Sequence, residues 1–185
     1  MASIIGSTET SKYWYVMRDL KRSNAKLPGY KLLEKKQIRV FTPMKWELTG
    51  KSGIQTREQV PVIKDLLFAY SSLEELAPIL QEEPKLQHRY VRGGKQHEPM
   101  IVRSDYMERF IHAVQSSDTP CFYLPEEITP NMYKRRIRII GGPLNNYEGH
   151  LVTVRGSRIK RLLVELPNLL AVTIEVNPEY IMLID

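Results

Sequence analysis

The chain has 185 residues, 42% of them hydrophobic and 26% charged, with a formal net charge of +6 and a pI near 9.4. That balance excludes an intrinsically disordered chain, suits one large domain or two small ones, and favours an acidic partner such as nucleic acid. The single cysteine, Cys121, excludes an intramolecular disulfide, and no apolar run reaches the roughly 20 residues of a membrane-spanning helix. Residues 1 to 11 lack a basic region followed by a long apolar core, so they read as a polar tail and not a signal peptide. A monomeric cytoplasmic protein in a reducing compartment, with no membrane contact, is the expectation.

Tyr13-Trp14-Tyr15-Val16-Met17 is aromatic and β-branched, which predicts a strand, with a polar turn from Asp19 to Asn24 behind it. A helix follows through Leu32-Leu33-Glu34-Lys35-Lys36, with Pro28 in its first turn, where a missing N–H costs little. Ile38 to Phe41 is a second strand stopped by Pro43, and Lys45 to Glu58, with Gly50 and Gly53, reads as an extended hairpin tip. Val60 to Tyr70 is the most apolar stretch of this half and predicts one central strand. Ser72 followed by Glu75 has the form of a capping box, and Leu73, Leu76 and Leu80 share a helical face that Pro78 should break or kink. Gln87 to Val91 and Met100 to Val102 bracket Gly93-Gly94 as a hairpin. Ser104 then caps a helix whose buried stripe is Met107, Phe110, Ile111 and Val114. Gln115 to Tyr133 holds three prolines and little periodicity, and reads as a linker. Domains of 12–116 and 134–185 with a linker over 117–133 result.

The last segment, Arg138 to Leu166, alternates strand runs with glycine-bearing turns. Ile137 and Ile139 lead into Gly141-Gly142-Pro143, Asn145-Asn146-Tyr147-Glu148-Gly149 supplies a reversal, and Leu151 to Val154 and Leu162 to Leu166 are further strands around Gly156-Ser157. This spacing resembles the KOW motif of small SH3-like barrels. Together with the opening Lys-Tyr-Trp-Tyr-Val-Met strand, Val40-Phe41-Thr42-Pro43 and Val60-Pro61 through Leu66-Leu67-Phe68-Ala69, the whole chain resembles the NusG family of bacterial transcription elongation factors. The polar stretch Thr49 to Glu58 and the ending Leu169 to Val176 resemble its specialised paralogues, the RfaH and UpxY-type antiterminators of surface-polysaccharide operons.

The resemblance implies an α+β fold: an N-terminal NusG-type α/β sandwich, an antiparallel sheet with flanking helices, followed by a C-terminal SH3-like KOW β-barrel. It implies a factor that holds the clamp of RNA polymerase and promotes processive transcription and antitermination. A general factor coupling polymerase to the ribosome or to Rho is the alternative, as is a ribosome-associated RNA-binding KOW protein. The polymerase surface implied by the family motifs comprises Tyr15, Leu66, Phe68 and Ile101. Leu66 and Phe68 share one face of their strand and Leu67 and Ala69 the other; one pair must face the helices, and the sequence leaves open which. Arg18, Lys21 and Arg22 occupy the region that in the family meets the non-template DNA strand or nascent RNA; a solvated loop is the plainer reading. In the barrel, Lys134-Arg135-Arg136 with Arg138, and Arg155, Arg158, Lys160 and Arg161, make two basic clusters. They suit a phosphate backbone or an acidic protein, which the family supplies as a small-subunit ribosomal protein or Rho.

Chemistry of other kinds is hard to find. His88, His97, His112 and His150 lack metal-ligand spacing, no phosphate-cradling loop is present, and the Glu pairs are sequence neighbours without convergence. No cofactor, no metal and no catalytic residue is expected, and the chain reads as a non-enzyme.

Overall fold

The computed structural model describes residues 11–21, 25–50, 55–93, 97–153 and 156–184. The chain divides into two compact units, Met1–Ser104 and Asp105–Asp185. The first contains β1 (Tyr13–Asp19), α1 (Gly29–Lys35), β2 (Arg39–Phe41), β3 (Met44–Thr49), β4 (Thr56–Pro61), β5 (Leu66–Ser71), α2 (Leu73–Glu82), β6 (Leu86–His88) and β7 (Ile101–Val102). Its main sheet runs β2-β5-β1-β6, with β7 also paired to β1, and every pairing is antiparallel.

Central position explains the composition of β1 and β5. Trp14 to Met17 and Leu66 to Ala69 are buried in unbroken runs, because both faces of these strands are covered. Tyr15, Met17, Leu67 and Ala69 pack with Leu33 of α1, Leu76 and Ile79 of α2, and Leu86. Leu67 and Ala69 therefore face these helices, and Leu66 and Phe68 face the other way. The expected single strand from Val60 to Tyr70 is in fact two. β4 ends at Pro61, a turn over Val62–Asp65 closes with Leu66 N donating to Ile63 O at 3.2 Å, and β5 starts afresh. β4 pairs instead with β3 over six residues each, so most of the expected hairpin tip is strand, with Trp46 exposed under the Arg57 guanidinium.

Ser72 caps α2 as expected, accepting from Glu75 N at 3.2 Å. The reciprocal half of the capping box is missing, because the Glu75 carboxylate bonds Ser71 Oγ and Lys12 Nζ instead. The helix continues through Pro78 to Glu82, so the proline does not break it. The one lost hydrogen bond would have gone to the carbonyl of exposed Glu74, which can turn to solvent.

The second unit follows α3 (Ser104–Gln115) with β8 (Cys121–Tyr123), β9 (Arg136–Ile139), β10 (Glu148–Thr153), β11 (Lys160–Leu166), β12 (Leu170–Val176) and β13 (Ile181–Leu183). The sheet order is β13-β9-β10-β11-β12-β8. Two expectations are corrected here. The presumed linker supplies β8, which pairs with Ala171–Thr173, and Met132, Tyr123 and Ile128 pack in the core with Val152, Leu163 and Ala171. The division between the two units falls in the first turn of α3, between Ser104 and Asp105. The sheet is also open: among the described residues no pair joins β13 to β8, so the expected barrel is not closed. The β9–β10 turn uses positive φ at Gly141, Gly142 and Asn146, with Asn145 Oδ1 accepting from Gly141 N at 2.8 Å. At Gly149 a β-carbon would collide with the carbonyl oxygen of Leu163 on the neighbouring strand.

Candidate functional site

The helix-side face of the first sheet ends in a strip of rings at its β6–β7 edge. Tyr13 and Tyr15 alternate onto the same side of β1, with ring centroids 6.4 Å apart and edge-on. Tyr15 meets His88 at 5.3 Å, His88 meets Tyr90 at 6.4 Å, and Tyr90 meets His97 at 5.5 Å. Strand pairing builds this series: Met17 lies opposite His88, Tyr15 opposite Ile101, and Tyr90 bridges Pro99. Tyr15 is buried, yet Tyr13, Tyr90 and Ile101 stand 44%, 46% and 48% exposed, so the strip carries exposed apolar surface. Burial pushes the His88 pKa down, and its buried Nδ1 has no partner; burial, then Glu74, pushes the Tyr15 hydroxyl up.

The four residues expected to dock polymerase do not form one surface. Tyr15 and Ile101 are cross-strand partners within this strip. Leu66 and Phe68 lie on the opposite face with Val16, and both are fully buried, so they are core and not a free surface. Sequence reasoning misses Tyr13, His88, Tyr90 and His97. Their signal is two aromatic pairs at i, i+2 spacing, Tyr13/Tyr15 and His88/Tyr90, each of which puts two rings on one side of a strand.

At the end of β1 the expected nucleic-acid cations are tied down. Arg18 Nε donates to Asp65 Oδ2 at 3.2 Å. Lys21 Nζ pairs with Glu83 at 2.8 Å and donates to Leu27 O at 3.0 Å, with only 12% of its side chain exposed. Glu83 answers with a carboxyl held below its usual range, chiefly by that Lys21 bond. Between them, buried Asp19 accepts from Lys21 N at 3.0 Å and Gly29 N at 2.5 Å. Pro28, at the helix N-cap, has no side chain to offer, so Asp19 caps α1 from the neighbouring strand. Arg22 lies outside the described residues. A cavity of about 620 Å³ opens beside this junction, lined among others by Tyr30, Thr42, Lys45, Glu47, Glu58 and Lys64, of mixed sign.

No family model matches the chain, and no curated protein does. Among solved structures it is similar to one described as domain interaction in Thermotoga maritima NusG. The identity is 14%, over 95% of this chain and 98% of that one, with a TM-score of 0.44.

In the second unit the two expected basic clusters redistribute. Arg161 is a strut: its guanidinium donates to Glu175 at 2.9 Å and to the carbonyls of Thr119 and Thr173 at 3.0 and 3.3 Å, and touches Cys121 Sγ at 3.2 Å. Arg138 donates to Glu148 from both Nε and Nη2, and Arg136 joins the same carboxylate at 3.5 Å. These bonds hold the Glu148 carboxyl below its usual range. Lys134, Arg135, Arg158 and Lys160 have no carboxylate partner among the described residues, and Arg155 lies outside them. Tyr147 does not reach this end. Its hydroxyl donates to Arg109 O at 3.2 Å and meets His112 Nδ1 at 2.8 Å, tying α3 to the sheet of its own unit. Among the described residues no group of three or more His, Cys, Asp or Glu is placed to hold a metal, and no helix is long and apolar enough to cross a membrane.

Proposed function

We propose that the protein is a non-enzymatic transcription elongation factor of the NusG kind, which docks on RNA polymerase through the Tyr13–Tyr15–His88–Tyr90–Ile101 strip. The observation that carries this is the strip itself: a partly exposed row of aromatic rings at the edge where the family resemblance puts Tyr15 and Ile101. Aromatic anchors supply much of the energy of a protein interface, and this row is held in place by strand pairing before any partner arrives. Docking favours a processive polymerase over a paused one to the extent that the strip binds the two states unequally.

The finer reading is antitermination on a dedicated operon of surface-polysaccharide type, supported by the likeness of Thr49–Glu58 and Leu169–Val176 to the specialised paralogues. The second unit is read as the KOW module. Its strand order, β13-β9-β10-β11-β12, joins the last strand to the first of a meander, which supports an SH3-like arrangement despite the open edge.

The test is capture of core RNA polymerase by the full chain, comparing wild type with a Tyr13→Ala/Tyr90→Ala/Ile101→Ala variant. All three positions are exposed, so the variant folds, and its capture of polymerase should drop by at least ten-fold. Failure of the wild-type chain to hold polymerase would end this reading.

A further inference from the structure

One side-chain group of the second unit has no part in the docking strip: Arg161, Thr173 and Cys121. Strand register puts all three on one face of the sheet. Arg161 of β11 lies opposite Glu175, Thr173 stands two residues before Glu175 on β12, and Cys121 of β8 lies directly opposite Thr173. Side chains paired in this way have β-carbons about 5 Å apart, so the Thr173 hydroxyl and the Cys121 thiol are neighbours. The guanidinium reaches across β12, and Arg161 Nη1 donates to Cys121 Sγ at 3.2 Å. Its place is fixed by further bonds, from Nη1 to the carbonyls of Thr119 and Thr173 and from Nη2 to Glu175. The thiol in turn donates weakly to Thr119 O at 3.9 Å.

Two observations separate this thiol from a structural cysteine. Cys121 is only partly buried, and its strand has β12 on one side and no partner on the other among the described residues, which leaves it open to small reagents. Thr173, by contrast, is fully buried, and its hydroxyl has no hydrogen-bond partner. A buried hydroxyl without an acceptor is costly, and an oxygen atom placed on the adjacent sulfur would supply one. The same oxygen would lie beside the guanidinium that already bonds the sulfur. We propose that Cys121 is an oxidation site that reacts with hydroperoxides to give a sulfenic acid, with Arg161 and Thr173 holding the added oxygen. In this step a sulfur lone pair attacks one peroxide oxygen, and the S–O bond forms as the O–O bond breaks. The departing hydroxide takes the thiol proton, so Cys–SH and H2O2 give Cys–SOH and H2O. Sulfur loses two electrons and the peroxide gains them. Negative charge shifts onto the peroxide oxygens as this happens, beside two donors that need no rearrangement. The 185 residues hold no second cysteine, so no internal disulfide consumes the product.

The experiment treats the reduced full chain with hydrogen peroxide, traps sulfenic acid with dimedone and locates the adduct by mass spectrometry. Its readout is the rate of oxidation by peroxide divided by the rate of alkylation by iodoacetamide. Both reagents need an open, nucleophilic sulfur, but only peroxide brings an oxygen that the two donors can hold. The ratio should be at least about ten-fold higher in the folded chain than in the chain unfolded in urea, a comparison that needs no variant. Thr173→Val keeps the shape, removes the hydroxyl and should lower the ratio about five-fold. Because it deletes a buried group that has no partner, this variant should fold at least as well as wild type. Arg161→Met, which removes a charged donor, should lower the ratio about ten-fold. The proposal is overturned if folded and unfolded chains give the same ratio, or if either variant keeps the wild-type value. It is overturned too if dimedone captures no adduct at Cys121.

Discussion

The junction between β1 and α1 was expected to present cations to nucleic acid, and the basic clusters near the end of β10 to present them to a phosphate backbone or an acidic protein, and the two regions differ completely. At the first, Arg18 and Lys21 face Asp65 and Glu83, supplied by loops 47 and 62 residues away in the chain. At the second, Lys134, Arg135, Arg158 and Lys160 meet no acid among the described residues, although their unit as a whole has slightly more carboxylates than cations. Availability of a charge is therefore decided by what the fold brings across from another strand, and net charge is a poor guide to it. A lysine bonded to a glutamate and a backbone carbonyl is part of the scaffold; the same side chain at an unpaired strand end is part of a surface.

That contrast can be broken by stability measurements, in which tied groups should cost and free groups should not. The largest loss is expected for Asp19→Ala, which leaves Gly29 N and Lys21 N without their acceptor in a buried setting. Urea unfolding should show about 3 kcal/mol. Arg161→Ala comes next at about 2 kcal/mol, since it removes bonds to two carbonyls and leaves the Glu175 carboxylate with only the Thr119 hydroxyl as donor. Lys21→Met should lose about 1 kcal/mol, as Glu83 is near enough to water to recover part of the loss. Arg138→Ala lies on a half-exposed pair and should cost less than any of these. Arg158→Gln should leave the unfolding midpoint where it is; a loss comparable to that of Arg161→Ala would show that the β10 end is scaffold after all.

The smallest effect is one of pH. The bond to Glu165, with burial second, pushes the Tyr133 hydroxyl from 10.0 up to about 12. Tyrosine is neutral when protonated, so the folded state holds this proton more tightly than the unfolded one. The associated stability is complete below pH 10 and drains away as the pH climbs from 10 towards 12. Tyr133→Phe should flatten that limb of the pH–stability curve, and one tyrosinate absorbance step should vanish from the top of the titration.

Much of the fold was legible because it is local. The Ser72 cap, the Pro28–Gly29 helix start, the Met107/Phe110/Ile111 stripe and the turn at Gly141-Gly142 each declare themselves within a few residues. The face choice at Leu66–Ala69 was not, because a strand buried on both sides carries no alternation to read. β8 was hidden for another reason: three residues between prolines have no period, and only pairing with β12 makes Cys121–Tyr123 a strand. The candidate strip drew on two sources. Tyr15 and Ile101 followed from the family resemblance, and the rings that complete their strip followed from strand pairing. Which cations would be consumed internally, as Arg161 is by partners 12 to 42 residues distant, is a property of the assembled sheet alone.

Gly149 has a consequence for how the second unit reaches its structure. Its missing β-carbon is what lets β10 lie against the Leu163 carbonyl. A strand threaded one residue early or late would press the side chain of Glu148 or His150 onto that oxygen, and the clash would expel it before neighbouring pairs could form. One absent methyl group thus acts as an error check on assembly, so that the two basic strand starts reach the same end of the sheet each time the chain folds.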